Sequence, residues 1–460
     1  MVVQKYGGSS VEDASKMREV AQIALAHRRD GKIAVVLSAM RGCTDLLLIA
    51  AKDAEAGNST YKTALETLER RHFEAADALA QGSVREALQT ALNEVFADLR
   101  DILHGVELVK ECSKRTLDLV AGFGERLSCL VMAGHFQALG VEAEYIDASK
   151  HFIRTNDEHG NAQVDFAVTY EQVQERLKDL KGVAVITGFI ASTADGRPTT
   201  LGRNGSDFTA SLVGAAIRAD AVEIWKDVDG VLTADPRFVH GVEVLKEISM
   251  EEAMELSYFG AKVIHPSTMG PLLDRGIPLR IKNTLRPEVP GTLITQNPEP
   301  HNRPITGIAS ISEAALINIE GSGMIGIPGF AARVFTALSR VKVNVIMISQ
   351  ASSEHSICIV TRKAEAKEAL KALRDELKPE REARQIKDCE LIVDLEIIAV
   401  IGENMRGKPG ITGRLFHALG QENINVLAIA QGSSERNISF VIESKDRERA
   451  LNTVHRAFLG

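Results

Sequence analysis

The chain has 460 residues, of which 45% are hydrophobic and 25% charged, and its formal charge is -8 at pH 7. These values are typical of a globular protein of two or three domains, and the acidic balance argues against nucleic acid as the main partner. The cysteines have no CxxC spacing, which argues against a disulfide framework and a structural zinc site. No apolar run approaches the roughly 20 residues that span a bilayer. We therefore expect a cytoplasmic protein with no membrane partner and no metal held by clustered side chains.

Four apolar runs in the first 230 residues predict buried strands. They are VVQKY (2–6), KIAVVLS (32–38), VAVITGFIA (183–191) and AVEIW (221–225). Continuous β-branched runs are typical of strands that are covered on both faces, and helical patterns lie between them. This alternation predicts an α/β fold, a three-layer sandwich with a mostly parallel central sheet.

The first run ends in KYGGSS, where a strand, a glycine pair and a helix start follow one another. We predict that Ser10 is the N-cap of this helix. Backbone N–H groups and the positive end of a helix dipole suit phosphate oxygens, and Lys5 would reach a transferring phosphoryl group. This turn alone is weak evidence for phosphate binding. The GxxxxGK[ST] pattern of a P-loop is absent from the sequence.

Residues 55–115 interrupt the alternation with two long, amphipathic, strand-poor segments. They predict a pair of helices laid on one end of the sheet. We favour a structural role for this pair over a partner-binding surface.

Two later segments place charged residues at helix starts. In GFGERLS (122–128), Glu125 either complements the helix dipole or binds a ligand. In TTLGRNGSD (199–207), Asp207 can orient a lysine and Arg203 can bind a carboxylate bidentately.

The segment QNPEPHNRP (296–304) predicts a linker, and beyond it the chain repeats itself. MISQASSEHSICIVT (347–361) matches AIAQGSSERNISFVI (428–442) at an offset of 81 residues. Each copy has strand, Pro-Gly turn, helix, two strands around a polar turn, and a second helix. This order predicts an α+β module of βαββαβ type, present twice.

The two copies share polar residues as well as apolar ones, such as Gln350 with Gln431. A purely structural repeat needs only its apolar periodicity. We therefore favour a ligand site at the module interface. The alternative is a polar turn whose residues were simply retained when the module was duplicated. A buried glutamine at a strand end would offer a donor and an acceptor to an amino acid.

A literal GxGxxG, GSGMIG (321–326), raises the possibility of dinucleotide binding. The next strand, VKVNVIMI (341–348), has no acidic residue to hold a ribose, and the second copy, GENMRG, lacks the fingerprint. We therefore disfavour a dehydrogenase that would bind NAD here.

Six motifs resemble, in order, those of the aspartate kinases of the amino-acid kinase family. They are KYGGSSV, VLSAM, GFGERLS, TLGRNGSD, DVDGVLTADPR and MELSYFGAKVIHP. The repeat resembles the tandem ACT domains of the same enzymes. The resemblance implies that ATP, with Mg²⁺, phosphorylates the side-chain carboxylate of L-aspartate at the head of lysine, threonine and methionine synthesis. It implies a catalytic domain over 1–296, a first ACT module over 305–388 whose leading strand is lent to the second, and a second ACT module over 389–460.

The resemblance also implies roles for individual residues. The implied catalytic residues are Lys5 and Asp207. The implied aspartate-binding residues are Ser38, Thr44, Glu125 for the ammonium, Arg203 for the α-carboxylate, and Ser206. The implied nucleotide-binding residues are Lys5, Gly7, Gly8, Ser9, Lys226, Asp227, Leu232, Arg237 and Lys262. Lys226 stands where many relatives have Thr, and Leu232 where Tyr is frequent.

The same resemblance implies feedback inhibition, which we expect to be by threonine, with lysine as the alternative. The implied effector contacts are Asn344, Ile348, Gln350, Asn425, Ile429 and Gln431. A homodimer or homotetramer through the ACT modules is expected. Some relatives continue into a homoserine dehydrogenase domain; the expectation here is a monofunctional kinase. Alternatives are a sibling kinase acting on glutamate, acetylglutamate, carbamate or UMP, and a non-catalytic amino-acid sensor.

Overall fold

The structure is a computed structural model that describes residues 1–260, 264–299, 303–351 and 355–460. The chain divides into two compact units. The first unit comprises Met1–Val231, Val244–Met250 and Val263–Glu299, and the second comprises Leu232–Glu243, Glu251–Lys262 and Pro300–Gly460. Among the described residues, no helix combines the length and the apolar character that crossing a bilayer requires.

The strands up to residue 299 are β1 (Val2–Tyr6), β2 (Ile33–Leu37), β3 (Ala143–Ile146), β4 (Val183–Thr187), β5 (Ile190–Ser192), β6 (Pro198–Thr200), β7 (Ala221–Lys226), β8 (Glu247–Ser249), β9 (Leu279–Asn283) and β10 (Thr292–Thr295). The helices are α1 (Ala14–Ala26), α2 (Cys43–Ala56), α3 (Thr60–Leu79), α4 (Gly82–Val109), α5 (Lys114–Ala121), α6 (Phe123–Ala138), α7 (Phe166–Leu177), α8 (Gly205–Ala216), α9 (Met250–Tyr258) and α10 (Pro266–Leu273). A 3-10 turn covers Gly8–Ser10. Most of α9 belongs to the second unit.

The sheet of the first unit has, over the described residues, the order β3-β4-β2-β1-β7-β9-β10-β8. In this order, each strand from β3 through β4, β2, β1 and β7 to β9 pairs in parallel with the next one. Strand β10 runs antiparallel to β9. Strands β1, β2, β4 and β7 are buried almost throughout, as their apolar runs predict. The mostly parallel sheet is therefore confirmed. The residues that follow these strands lie at the carboxyl edge of the sheet, which is where ligands bind in open α/β sheets.

Two details of the predicted elements are wrong. The run 183–191 is not one strand, because the chain leaves the sheet at Gly188 and Phe189, where Phe189 has φ 69°, and continues into the hairpin of β5 and β6. Ser10 does not cap α1. The carboxylate of Asp13 accepts the N–H of Lys16 at 2.9 Å instead, because the 3-10 turn delays the helix start.

The helical pair predicted over 55–115 is confirmed as α3 and α4. Their apolar faces bury Leu68, Leu92, Phe96 and Leu99 in the same core as the inner side of α6. Burial of this kind, rather than helix propensity, supplies most of the stability of such helices.

The strands after residue 303 are β11 (Gly307–Glu320), β12 (Met347–Gln350), β13 (Ser356–Arg362), β14 (Glu390–Ile401), β15 (Ala428–Gln431) and β16 (Asn437–Glu443). The helices are α11 (Phe330–Arg340), α12 (Lys363–Glu376), α13 (Lys378–Glu382), α14 (Ile411–Gln421) and α15 (Arg447–Phe458). As far as the structure describes them, these strands form an antiparallel sheet of order β12-β13-β11-β14-β16-β15.

The two copies of the repeat have the predicted order of elements, and each has its own core. The first half of β11, Gly307–Ile311, pairs with Ile397–Ile401 of β14 and so lies in the second copy. The GSGMIG segment follows β11, whose neighbours β13 and β14 are both antiparallel to it. A dinucleotide fold needs a parallel βαβ unit at this point, so the fingerprint has no matching fold.

Residues 300–302 of the predicted linker lie outside the described residues. Two stretches that precede this predicted linker belong to the second unit. Ala234 and Val239 are buried with Ile398 and Phe440 in the core of the second copy. On α9, the buried carboxylate of Glu252 accepts the hydroxyl of Thr306 at 2.5 Å and the N–H of Glu403 at 2.8 Å.

Candidate active site

A polar cavity of about 410 Å³ lies at the carboxyl edge of the first sheet. Nine of the predicted site residues line it: Lys5, Gly8, Ser38, Thr44, Glu125, Arg203, Ser206, Asp207 and Lys226. The structure thus brings together residues from five separate segments of the sequence.

The cavity lies where several helical segments begin. Gly8 opens the 3-10 turn after β1, and α2 begins at Cys43, next to Thr44. The first turns of α6 and α8 carry Glu125 and Asp207. The unpaired N–H groups and positive dipole ends of such helix starts favour bound anions.

Glycines allow these segments to approach closely. A Cβ on Gly8 would lie 2.7 Å from the carbonyl oxygen of Ala39, and the N–H of Arg41 donates to the Gly8 carbonyl at 3.1 Å. A Cβ on Gly188 would lie 2.6 Å from the Cβ of Ser206. Larger residues at either glycine would force apart the loops that form the cavity.

Two lysines hold the carboxylate of Asp207. The Lys5 ammonium lies 2.6 Å from Oδ1 and the Lys226 ammonium lies 3.1 Å from Oδ2. The exposed fractions of the three side chains are 8% for Lys5, 18% for Lys226 and 2% for Asp207. Burial would raise the pKa of Asp207, but the two ammonium groups outweigh it and hold that pKa below its ordinary value. Asp207 is therefore a fixed negative charge that orients cations.

For the pKa of Lys226, the effect of burial is larger than the effect of the ion pair. Burial lowers the pKa of Lys226 and outweighs the attraction of Asp207, and the like charge of Lys5 lowers it further. The cluster thus carries two ammonium groups around one carboxylate in a largely buried place.

Glu125 is 3% exposed and faces the same cavity. Burial raises its pKa to about 8, although backbone N–H groups and the charge of Lys5 oppose the shift. Within the described part of the chain, its Oε2 atom has no hydrogen-bond partner. The hydroxyl of Ser128, one turn further along α6, donates to the Ser38 carbonyl at 2.8 Å and fixes the helix against β2. A buried carboxyl with a spare acceptor suits a cationic ligand group.

Five other predicted nucleotide-binding residues are outside the cavity lining: Gly7, Ser9, Asp227, Leu232 and Arg237. Gly7 and Ser9 flank Gly8, and Asp227 is exposed next to Lys226. Leu232 and Arg237 belong to the second unit, where Arg237 pairs with Asp235 through Nε at 3.0 Å and Nη2 at 2.5 Å. Lys262 lies outside the described residues.

The lining also includes Ala39 and Met40 of the VLSAM motif, and Gly202 and Gly205 of the glycine-rich helix start. The sequence did not single out five other lining residues: Arg41, Gly42, Asp45, Phe189 and Asn204. Arg41, Gly42 and Asp45 are within five residues of the end of the VLSAM motif, so the motif itself was a signal for them. Asn204 has φ 59° and precedes α8, a left-handed conformation that asparagine tolerates better than most residues. Phe189 lines the cavity only because the chain leaves the sheet within the run 183–191. The apolar sequence of that run does not reveal where the strand ends.

Gln350 and Gln431 end the edge strands β12 and β15, as predicted, but they are exposed rather than buried. The two edges meet, since the hydroxyl of Ser349 donates to the carbonyl of Ile429 at 3.0 Å. Ile348 and Ile429 are also exposed, at 45% and 44%. Asn344 and Asn425 are exposed too, while residues 352–354 of the repeated polar phrase lie outside the described residues.

The cavity has few groups that could hold a metal ion. In the described ranges, no three residues of the His, Cys, Asp and Glu types form a cluster suited to one. The lining has three carboxylates, Asp45, Glu125 and Asp207. Asp207 already binds two lysines, and the raised pKa of Glu125 keeps it protonated near neutrality. A divalent cation would therefore take most of its oxygen ligands from a bound nucleotide, as Mg²⁺ does on nucleotide phosphates.

Comparisons with known proteins match this architecture. The model of the amino acid kinase family matches residues 1–283, and an ACT-domain model matches residues 317–377 and 398–458. The chain is 37% identical, over 99% of its length, to the bifunctional aspartokinase/homoserine dehydrogenase 2 of Arabidopsis thaliana chloroplasts, of which it covers 50%. It is 33% identical to the chloroplastic aspartokinase 1 of the same plant, with 99% of this chain and 80% of that one covered.

A solved structure is similar over its whole length. The crystal structure of E. coli aspartokinase III in complex with aspartate and ADP superposes with a TM-score of 0.81 at 28% identity, and 100% of each chain is covered. The chain spans about half the length of the bifunctional relatives it matches.

Proposed function

Because this chain belongs to the amino acid kinase family, within its aspartokinase branch, we propose that it transfers the γ-phosphoryl group of ATP to the side-chain carboxylate of L-aspartate. The product would be 4-phospho-L-aspartate, the first intermediate toward lysine, threonine and methionine. One observation carries the proposal: Lys5, Asp207 and Lys226 meet at converging helix starts, in the same cavity as Glu125 and Arg203.

The chemistry of this reaction calls for such a site. The attacking carboxylate has an ordinary pKa near 4 and is ionised at pH 7, so no general base is needed. The obstacle is the repulsion between an anionic nucleophile and an anionic phosphate chain. Catalysis must therefore come from positioning and from fixed positive charge on the transferred group. The buried ammonium groups on Asp207 and the helix starts around them supply that charge.

Aspartate would bind by its two main-chain groups. The spare acceptor of Glu125 would take the α-ammonium, and ionisation of Glu125 on binding would strengthen the contact. Arg203, exposed at the rim, would take the α-carboxylate bidentately. Ser38, Thr44 and Ser206 would bind the rest of the molecule and direct its side-chain carboxylate toward Lys5.

ATP would place its phosphates on the turn after β1. The N–H groups of Gly7, Gly8 and Ser9 would contact the phosphates, and Asp227, Leu232, Arg237 and Lys262 would surround the nucleoside. Mg²⁺ would arrive bound to ATP and would neutralise part of the phosphate charge. The protein's own part is to hold Lys5 at the transferred group, to bind the nucleotide with Lys226 and to align the aspartate carboxylate.

The ACT modules would bind an amino-acid effector, for which we propose threonine and keep lysine as the alternative. The contacts would be Asn344, Ile348, Gln350, Asn425, Ile429 and Gln431. The exposure of both isoleucines supports assembly into a homodimer or homotetramer through these edges, which would bury the glutamines around the effector. The five cysteines are unpaired, which supports a reducing compartment such as the cytoplasm.

The experiment that tests the activity is ADP release from MgATP with a panel of acceptors. We expect turnover with L-aspartate and little with L-glutamate, N-acetyl-L-glutamate, carbamate or UMP. Turnover with one of these acceptors instead would identify a sibling kinase. Binding of an amino acid without any ADP release would support a non-catalytic sensor and refute the proposal.

A further inference from the structure

We propose that Asp118 is a positioning residue for the acceptor substrate. Its carboxylate ties the loop 156–163 to β6 and thereby fixes the place of Arg203, which follows β6 in the chain. The inference rests on the proposed kinase activity and deepens it, since it names a side chain that sets the preference for an acceptor with an α-carboxylate. Asp118 is outside the cavity lining and acts through Arg203.

The Asp118 carboxylate joins two separate segments of the chain. Asp118 lies on α5 and is 5% exposed. Its Oδ1 accepts the hydroxyl of Thr200, the last residue of β6, at 2.6 Å. Its Oδ2 lies 2.8 Å from Nδ1 of His159, which donates because a carboxylate only accepts, and accepts the N–H of Gly160 at 3.0 Å. Separation of either segment would leave a buried acceptor without its donors, which is costly.

The loop 156–163 depends on these hydrogen bonds because it buries little apolar surface. Its exposed residues are Asn156, Asp157, Glu158, Gly160, Asn161 and Gln163. Ala162 is buried, and its N–H donates to the carbonyl of Thr200 at 2.9 Å. The loop is therefore attached to β6 and α5 mainly through polar contacts, to which Asp118 contributes a buried charge.

The anchored loop packs directly against the residue that precedes Arg203. Gly202 has φ 73°, and a Cβ at this position would lie 2.5 Å from Oδ1 of Asn161. Gly202 and Arg203 both line the cavity. Arg203 is exposed, so the course of its backbone largely decides where its guanidinium can reach. A small displacement of a group that binds substrate weakens its contacts, and supporting hydrogen bonds prevent such a displacement.

The test compares two acceptors, L-aspartate and β-alanine, by steady-state kinetics with MgATP. β-Alanine has the same reacting carboxylate and an ammonium but lacks the α-carboxylate that Arg203 would bind. We expect Asp118→Asn to lower the preference for L-aspartate, measured as the ratio of the two kcat/KM values, about tenfold, the loss of one charge-assisted hydrogen bond. The KM for MgATP should stay within about twofold of wild type. If β-alanine is not turned over, its inhibition constant against L-aspartate replaces its kcat/KM.

A matched control separates positioning from stability. Asp165→Ala removes the N-cap of α7, where the Asp165 carboxylate accepts the N–H of Val168 at 3.2 Å. This variant should lower the melting temperature and leave the preference for L-aspartate unchanged. In an Arg203→Lys background, Asp118→Asn should lower the preference no further, because both changes act on the same contact.

The outcomes decide between the two roles of Asp118. Equal losses with both acceptors in Asp118→Asn would show a merely structural role and overturn the inference, as would an unchanged preference. If Asp118→Asn does not fold, His159→Ala decides, because it removes one donor and leaves the carboxylate in place. An unchanged preference in His159→Ala would then overturn the inference. Absence of wild-type turnover with L-aspartate refutes the proposed function, and this inference with it.

Discussion

The ammonium of Lys5 lies 2.6 Å from Oδ1 of Asp207, which joins the end of β1 to the first turn of α8. Both side chains are almost fully buried, so this contact fixes the lysine in one orientation. Because the pKa of Asp207 lies below its ordinary value, the carboxylate stays ionised and does not act as a base at neutral pH. Its role in the proposed reaction is to position positive charge.

Replacing Asp207 by Asn should therefore impair catalysis rather than binding. The amide keeps the shape of the side chain but removes the charge that holds two like-charged ammonium groups together. We expect kcat to fall by a factor on the order of 100 or more and the KM for aspartate to change little. Asp98→Asn on the exposed side of α4 serves as the control for steady-state kinetics and thermal melting. An Asp207→Asn enzyme that is folded and retains wild-type kcat would show that the ion pair is not needed.

Glu125 gives a prediction about stability and pH. Its pKa is about 8 in the folded protein against an ordinary 4.5, so folding takes up a proton between these values. The stability that Glu125 contributes is fully present below its ordinary pKa and is lost as pH rises through about 8. Glu125→Gln does not titrate. The melting temperature of this variant should therefore rise relative to wild type between pH 5 and pH 8.5, as measured by differential scanning calorimetry.

The same variant should bind aspartate poorly, since an amide cannot neutralise the α-ammonium. We expect the KM for aspartate to increase at least about tenfold, a loss of about 1.4 kcal/mol. A constant difference in melting temperature across this pH range would contradict the shifted pKa, and an unchanged KM would contradict the ammonium contact.

Arg203 is exposed at the cavity rim, so its contribution should appear in binding. Lys in its place keeps the charge but loses the bidentate fork. Arg203→Lys should raise the KM for aspartate roughly tenfold, by the loss of one charge-assisted hydrogen bond, with kcat within a few fold of wild type. Arg28→Lys, at an exposed position between α1 and β2, is the matched control. If kcat rather than KM falls in Arg203→Lys, the arginine acts on the reacting group and not on the α-carboxylate.

Gln350 and Gln431 occupy equivalent positions at the edge strands of the two copies. Gln350→Ala and Gln431→Ala should weaken inhibition by threonine at least about tenfold while leaving uninhibited kcat unchanged, because each removes a hydrogen-bonding side chain from the effector. Calorimetric titrations with threonine and with lysine identify the effector. Tight lysine binding with no response to threonine would replace threonine by the alternative.

Much of this architecture could be predicted from the sequence. Four β-branched runs predicted the buried parallel strands, and the 81-residue offset of the repeat is visible in the sequence alone. The break at Phe189 and the cap by Asp13 could not be predicted, because both depend on how neighbouring segments pack. An apolar run that leaves one sheet for a buried hairpin has the same composition as one that stays.

The candidate site, like the fold, could be predicted from the sequence only in part. That Asp207 orients a lysine could be predicted from its place at a helix start, but the sequence did not say that this lysine is Lys5. The place of Lys226 in the same cluster depends on β7 lying next to β1, which the sequence order does not reveal. The exposure of Gln350 and Gln431 was likewise missed, since a polar residue at a strand end is compatible with either environment.

The most direct test of the site is the steady-state kinetics of Lys5→Met with MgATP and L-aspartate, measured beside the wild-type protein. Fixed positive charge on the transferred group predicts a kcat lower by about 100-fold to 1,000-fold, with KM values close to those of wild type. A folded Lys5→Met protein with a raised KM and an unchanged kcat would contradict this account, because Lys5 would then bind the ground state alone.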